Sequence, residues 1–323
     1  MKKVFVTGIN GLLGSNLVED LLLKNFIVKG LIRDKAKFIG PNHQNLELIQ
    51  GNLFDDLTPF LKDIDIVIHV AAETSQSLTT YDRYRKINYE TTKQLFNAAV
   101  CCGVKKFVFV STANTLGFGS LAVLGNELKA MKKPFTDSFY AISKFEAEQF
   151  LLENIHKTDV ILLQPTFMIG AYDSKPSSGK IILMGWKKKI VFYPPGGKNF
   201  VHVKDVSNAV IKSFTAAENG QKYLIANENL SYFQFFKKLN NITNQKPVMI
   251  KIPKCGLTLL GYFGDLMRLF KIKTNLSSTN MKALCIDNFY CNEKSIHSFK
   301  MKYQTIDSAI NDAVDYFSAQ KSK

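Results

Sequence analysis

Tyr140-Ala141-Ile142-Ser143-Lys144 places a phenol and an ammonium four positions apart. On a helix that spacing is close to one turn, so the two side chains share a face. An ammonium beside a phenol favours the phenolate and draws the tyrosine down from its ordinary value of ~10. Such a phenol can give a proton to a substrate oxygen, or take one from it, while a hydride moves at the adjoining carbon. The spacing alone carries little. Twelve tyrosines in a lysine-rich chain produce about 1.4 such matches by chance, and three occur, at Tyr89/Lys93, Tyr140/Lys144 and Tyr290/Lys294.

Context separates the three. Only Tyr140 follows a β-rich run that ends in hydroxyls, Phe107-Val108-Phe109-Val110-Ser111-Thr112. A hydroxyl at that strand tip can hold a substrate oxygen beside the phenol. Thr112 is the first choice for this role and Ser111 the second; a Thr112 that only caps or packs is the alternative. Tyr89, beside Asn88, falls in a helix expected to back the sheet, and Tyr290 falls in a second lobe. Both read as structural.

A second constellation opens the chain. Thr7-Gly8-Ile9-Asn10-Gly11-Leu12-Leu13-Gly14 lies between an apolar run and a helical pattern. Small residues there permit a tight turn, and the free N–H groups of a helix start favour a pyrophosphate. The next apolar run ends at Arg33-Asp34-Lys35-Ala36-Lys37. An acid at that tip accepts a ribose hydroxyl, whereas a guanidinium complements a 2′-phosphate. Arg33, one of four arginines in the chain, with Lys37 close behind, points to NADP; Asp34 keeps NAD open. Asn52 and Leu53 follow the third run, where Asn52 can meet the adenine edge. Ala71 and Ala72 follow the fourth and let a cofactor pass close to the backbone. His69, just before them, reads as a packed histidine without a chemical role.

These residues need a scaffold of alternating elements. Strands are expected at Lys3–Val6, Ile27–Ile32, Leu46–Gln50, Ile64–Val70, Lys106–Ser111, Val160–Leu163 and Tyr223–Ala226. Helices are expected at Leu12–Leu23, Leu57–Leu61, Asn88–Cys102, Tyr140–Asn154 and Val206–Ala217. Alternation of this kind implies an α/β fold, a Rossmann-type doubly wound parallel sheet covered on both faces. Residues 1–165 and 201–226 are assigned to the NAD(P)-binding domain. Residues 166–200 and 227–323, less regular, are assigned to a smaller, mixed substrate-binding lobe over the carboxyl edge of the sheet.

Composition narrows the class. Apolar content of 46% with 21% charged residues is that of a globular protein. No run reaches the ~18 apolar residues of a membrane span. Met1-Lys2-Lys3 runs straight into the first strand, so a cytoplasmic protein without a signal peptide is expected. The net charge of +15 is spread over scattered lysines. Nucleic-acid sites favour arginine forks or a concentrated basic face, so nucleic acid is not expected as a partner. Five cysteines, an odd number without a C-x-x-C pair, imply free thiols and no metal site.

In their order and spacing, Thr7–Gly14, His69–Ala72, Asn88, Ser111-Thr112-Ala113, Tyr140…Lys144, Gln164-Pro165-Thr166 and Phe200–Val206 resemble an extended short-chain dehydrogenase/reductase, the NAD-dependent epimerase/dehydratase family. The resemblance runs from residue 4 to about 240 and is greatest to the dihydroflavonol-reductase-like branch. It implies that Pro165 and Thr166 flank the nicotinamide carboxamide, that Asn88 orders a water or the active-site lysine, and that Asp205 fixes the loop joining the lobes. A homodimer is compatible with it. Departures from the family pattern are Asn52 for aspartate, Leu116 for tyrosine, Gln164 for arginine and Lys198 for arginine. The last two weaken a nucleotide-sugar reading, because lysine lacks the guanidinium fork that grips phosphate.

Three functions remain in view: an NADP-dependent reductase of an aldehyde or ketone, a nucleotide-sugar epimerase or dehydratase that keeps its cofactor, and a non-catalytic NADP-binding scaffold. The intact set of Tyr140, Lys144 and Thr112 disfavours the third. In Ile252–Lys273, Leu259, Phe263, Leu266, Met267 and Phe270 recur at helical spacing. The expected role is a helix roofing the substrate pocket; the alternative is an interfacial membrane helix flanked by Lys251, Lys254, Lys271 and Lys273. A membrane partner is not expected.

Overall fold

Runs that are apolar at nearly every position make strands buried on both faces. Seven of them form one wholly parallel sheet in the computed structural model, which describes residues 1–75, 78–270, 272 and 274–321, the last without its side chain. These are β1 (Lys3–Thr7), β2 (Ile27–Ile32), β3 (Leu46–Gln50), β4 (Ile66–His69), β5 (Lys106–Val110), β6 (Asp159–Pro165) and β10 (Lys222–Ile225). Their order across the sheet is β10-β6-β5-β4-β1-β2-β3. Val4 lies opposite Val28 on one side and Ile66 on the other. The chain therefore winds outward from β1 to β3, then returns to β4 on the other flank. That reversal opens a crevice at the carboxyl ends of β1 and β4, where such sheets bind ligands.

Alternate side chains of the strands feed two cores. On one face α1 (Leu12–Leu23) and α7 (Val203–Ala216) bury Leu17, Leu21, Val206 and Val210 against Val4, Val6, Ile68 and Val108. On the other, α2 (Thr58–Leu61), α4 (Thr91–Cys101) and α5 (Phe139–Glu153) bury Leu61, Phe96 and Leu151 against Phe5, Val67 and Phe107. The helix expected to begin at Asn88 starts earlier and is interrupted. It comprises α3 (Tyr81–Arg85), one wider π turn at Lys86–Glu90, and then α4. The π turn leaves the Asn88 carbonyl to accept from the Thr92 hydroxyl at 2.7 Å.

The remaining strands build a smaller, mixed unit. β7 (Phe167–Ile169), β9 (Gly197–His202), β11 (Glu228–Ser231) and β13 (Asp287–Asn288) form one sheet, and β8 (Ile190–Tyr193) pairs with β12 (Val248–Lys251) in a parallel ribbon. Around them lie α6 (Lys180–Gly185), α8 (Tyr232–Ile242), α9 (Lys254–Leu269), α10 (Ser278–Ala283), α11 (Glu293–Phe299) and α12 (Ile306–Lys321). Phe200 and Phe235 stack at 4.5 Å at the centre of this unit's core. Buried Asp205 accepts from the Gln304 backbone at 2.9 Å and ties the first turn of α7 to the approach to α12.

The apolar segment at 252–273 needs a correction. The expected helix stands there and borders the cavity beside Tyr140 through Asp265 and Arg268, but most of its apolar face does not point inward. Leu257, Gly261 and Gly264 face inward, while Leu259, Phe263, Leu266 and Phe270 face solvent. The glycines cause the inversion: a Cβ on Gly264 would lie 2.4 Å from the Leu276 carbonyl, so only the bare side of the helix can pack. Lys271 and Lys273 lie outside the described residues. No helix among the described residues is long and apolar enough to cross a membrane.

Candidate active site

The glycine turn divides its three glycines by task. Gly8 holds a φ of +74°, and a Cβ there would meet the Ala71 backbone nitrogen at 2.8 Å. Gly14 is pressed against the same turn, its Cβ position 2.0 Å from the Gly8 carbonyl. Gly11 differs, since a Cβ there would meet nothing closer than the Gly8 carbonyl at 3.5 Å. Packing within the chain does not demand glycine at 11, but a ligand lying on the backbone would. No side chain caps α1 and its first turn carries no acid, so the N–H groups of Leu12 and Leu13 head an uncapped twelve-residue helix. A dinucleotide pyrophosphate fits this cradle on both counts.

Asn10 fastens the neighbouring wall. Its amide donates to the Lys37 carbonyl at 2.6 Å and accepts from Ile39 at 3.2 Å, holding the short turn Lys35–Lys37 beside the glycines. Asp34 is committed locally. It pairs with Lys37 at 2.8 Å and accepts from the Ala36 backbone at 3.1 Å, and those bonds hold its carboxyl below the usual range. Arg33 is exposed and has no carboxylate partner among the described residues. Asn52 is exposed, its backbone donating to Asp55 at 2.6 Å, and Leu53 packs at the edge of the core. Ala71 is half-buried and donates to the Thr7 hydroxyl at 3.2 Å, with Ala72 following it out of the crevice. His69 lies 2.7 Å from that same hydroxyl and 3.0 Å from Thr92. Complete burial holds its ring at about 3, and the imidazole is a neutral strut.

Across the crevice, α5 starts at the Ser138 cap and carries Tyr140 and Lys144 on one face. The Thr112 side chain lies near the Tyr140 phenol and favours its ionised form. Thr112 also caps the turn Ala113–Thr115, accepting from Asn114 at 3.3 Å, so capping and contact with the phenol coexist. Ser111 is turned the other way and donates to the buried carboxylate of Glu148. Lys144 is buried; its ammonium donates to the Val110 carbonyl at 2.8 Å and sits 3.8 Å above the Phe109 ring.

The expected electrostatics of the pair do not hold in the chain by itself. Burial pushes the Tyr140 phenol up to about 12, with Thr112 opposing and Glu148 adding to the rise. Burial likewise lowers Lys144 to about 7, opposed by Glu148. Lys144 donates to a strand carbonyl and lies over a ring, and desolvation is the largest cause of both shifts. At neutral pH the phenol carries its proton.

Glu148 was not legible as a site residue. It lies one turn beyond Lys144 and is fully buried. It accepts from Thr115 at 2.7 Å and from Gln164 at 3.0 Å, and pairs with Lys222 at 3.2 Å. The signal was a third polar residue at the same spacing, Tyr140-x-x-x-Lys144-x-x-x-Glu148. Asn88 is also buried. Its amide accepts from the Glu73 backbone at 2.7 Å and donates to the Ser143 hydroxyl at 2.9 Å, clamping the crevice loop to α5 beside Lys144. Pro165 ends β6, and Thr166 donates to Asn199 at 2.7 Å where the two sheets meet. Tyr89 packs edge-on to Phe150, and the Tyr290 hydroxyl donates to the Ala113 carbonyl at 2.9 Å; both serve structure.

A cavity of about 300 Å³ opens beside the phenol, walled by Tyr140, Phe139 and Tyr84 and by Asp265, Arg268 and Leu269 of α9. Lys198, on β9, lies 4.6 Å from the Phe167 ring, one residue beyond Thr166. Burial lowers its ammonium to about 8, and no carboxylate pairs with it among the described residues.

A glycine turn at the switch point of a parallel sheet, facing a tyrosine, lysine and threonine, defines a dinucleotide-dependent enzyme of the extended short-chain dehydrogenase/reductase type. Residues 4–227 match the NAD-dependent epimerase/dehydratase family, and the chain belongs to it. A Synechocystis protein with a provisional dihydroflavonol 4-reductase name is 25% identical, over 97% of this chain and 94% of its own. A dTDP-D-glucose 4,6-dehydratase of Mus musculus is 30% identical, over 74% of this chain and 72% of its own. The crystal structure of gox2253 superposes with a TM-score of 0.83 at 26% identity and 99% coverage of both chains.

Proposed function

We propose that the chain is an NADP-dependent reductase of an aldehyde or ketone, with Tyr140 as the proton donor. The observation that carries this reading is geometric: Tyr140 stands at the wall of a cavity, on the helix that carries Lys144 and across the crevice from the glycine turn. The assignment to NADP rests on Asp34 being bonded to Lys37 and Ala36 while Arg33 faces solvent without an acid. Residues 1–165 and 201–226 make the cofactor unit, and residues 166–200 and 227–323 the substrate lobe. Gly8, Asn10, Gly11, Leu12, Leu13 and Gly14 would hold the pyrophosphate, and Arg33 and Lys37 the 2′-phosphate. Asn52 and Leu53 would line the adenine, Ala71 and Ala72 the passage between, and Pro165 and Thr166 the carboxamide.

A bound nicotinamide supplies the hydride that forms the new C–H bond. The residues of the chain manage the oxygen. Thr112 orients the carbonyl oxygen, and Tyr140 passes it the phenolic proton as negative charge develops there. The phenolate left behind is stabilised by Thr112 and then regains a proton from solvent, while Lys144 would hold the nicotinamide ribose beside it. Asn88 and Glu148 are positioning residues, since they touch Ser143, Ser111 and Thr115 and no reacting atom.

A second reading, turnover of a nucleotide sugar with the cofactor retained, draws on Lys198. A half-buried ammonium without a carboxylate partner among the described residues is a receptor for an anion, and a dTDP-sugar dehydratase stands among the relatives. The two readings differ in net oxidation. Purified protein mixed with NADPH and a panel of aldehydes and ketones is expected to consume one NADPH per alcohol formed. Tightly co-purified cofactor with turnover of dTDP- or UDP-sugars, and no net oxidation, would overturn the reductase reading.

A further inference from the structure

Helix α9 carries its apolar face outward. Leu259, Tyr262, Phe263, Leu266, Leu269 and Phe270 fall on one helix face, linked by three- and four-residue spacings, and are between 51% and 79% exposed. That stripe is the spacing of a helix face built to be buried. Yet the side buried in this chain is the bare one, Gly261 and Gly264, pressed onto residues 276–281. The ribbon that runs into α9 through Ile252-Pro253 repeats the pattern. Ile190 lies beside Val248 and Phe192 beside Ile250 in its register, all four exposed, while Val191 and Met249 between them turn to the core. Scattered exposed apolar residues are ordinary, but a continuous outward stripe on one helix marks a binding surface.

Charge says what covers it. Between Glu228 and Asp287 the chain holds eight lysines, one arginine and a single acid, Asp265. Asp265 does not belong to the outer face. It accepts from the Ser278 backbone at 3.1 Å and lines the cavity beside Tyr140. Lys251 and Lys254 stand exposed at the head of α9, and Lys187, Lys188 and Lys189 stand exposed at the head of the ribbon. A second copy of the chain would bring the same cationic rim against itself. A surface with an apolar interior and a negatively charged boundary matches both features, and that is an anionic phospholipid bilayer.

We propose that α9 and the β8–β12 ribbon seat the enzyme on anionic membrane surfaces. The bilayer then lies over the mouth of the cavity, because the inner edge of the same helix, through Asp265 and Arg268, walls the space beside Tyr140. The substrate class that follows, resting on the reductase reading, is a lipophilic aldehyde or ketone drawn from the bilayer. This is peripheral seating, in which the apolar side chains enter only the headgroup boundary.

The test is flotation of the full chain, without cofactor, on vesicles of phosphatidylcholine with and without phosphatidylglycerol. The wild type is expected to float with the phosphatidylglycerol vesicles and to be released in large part by high salt. A double variant, Leu259→Asp with Phe263→Asp, is expected to lose at least about tenfold in vesicle affinity. It should keep the wild-type melting temperature and the wild-type rate on a water-soluble carbonyl, because both side chains are already in water. Equal binding of wild type and variant, or no binding to anionic vesicles, would overturn the proposal. So would a wild-type dimer in solution that the variant converts to monomer, since that outcome assigns the face to a second copy. Vesicle binding and NADPH consumption are read separately. A protein that floats but oxidises no NADPH contradicts the reductase reading and leaves the docking surface standing.

Discussion

At the scale of single residues, the site is governed by desolvation more than by pairing. The spacing of Tyr140 and Lys144 implied a phenol made acidic by its lysine. Burial instead raises the phenol to about 12 and lowers the ammonium to about 7. The second shift has a sign that can be measured. Between about 7 and the ordinary lysine value the unfolded chain holds a proton at this position that the native chain lacks, so native stability rises with pH across that window. The slope contributed by one such group is at most about 1.4 kcal/mol per pH unit. Replacing Lys144 by Met is expected to remove it, leaving a urea midpoint that changes less between pH 7 and pH 9 than the wild type's. An unchanged pH dependence would mean that Lys144 stays charged in the native chain. Tyr140 and Thr112 were legible because an ordered set of motifs surrounds them. Glu148 was not, because a carboxylate one turn beyond a lysine reads as a surface ion pair. Its burial depends on Ser111, Thr115, Gln164 and Lys222, which sequence separation hides.

At the scale of elements, the glycine turn separates folding from binding. Gly14→Ala forces a methyl into the Gly8 carbonyl and is expected to destabilise the chain by several kcal/mol. Gly11→Ala has room and is expected to change stability by less than about 1 kcal/mol, while weakening NADPH binding at least about tenfold by blocking the approach of the pyrophosphate. Chemical denaturation alongside cofactor fluorescence distinguishes the two. Equal destabilisation by both changes would contradict the division. The strands of the large sheet were readable to within one or two residues, because most are short, largely apolar runs between turns. The smaller sheet was not, since β9 finds partners as far off as β13 and no local periodicity announces such pairing. For α9 the period was legible and the direction was not. The two glycines that decide which side packs read in sequence only as interruptions.

For the whole molecule, a net charge of +15 surrounds a cofactor crevice whose outer wall carries Arg33, Lys35 and Lys37. NADPH brings a phosphate that NADH lacks, and exposed charges act on it across roughly the ~10 Å screening length of 0.1 M salt. Raising the ionic strength is therefore expected to weaken NADPH binding several-fold more than NADH binding, by titration calorimetry. Parallel salt dependences would remove the support that Arg33 lends to NADP. The same excess of lysine hides the local signals. It multiplies chance Tyr-x-x-x-Lys matches and makes the cationic rim of α9 look like ordinary composition until the fold places an apolar stripe within it.

The proposed reductase requires Tyr140 to hand its proton to a carbonyl oxygen reduced at the expense of NADPH. Its most direct test is single-turnover oxidation of bound NADPH by a carbonyl substrate, in the wild type and in Tyr140→Phe, with NADPH affinity measured on both. Equal affinity is expected, with a loss of about 10²–10⁴-fold in the rate of the step. A Tyr140→Phe protein that oxidises NADPH at the wild-type rate would contradict it.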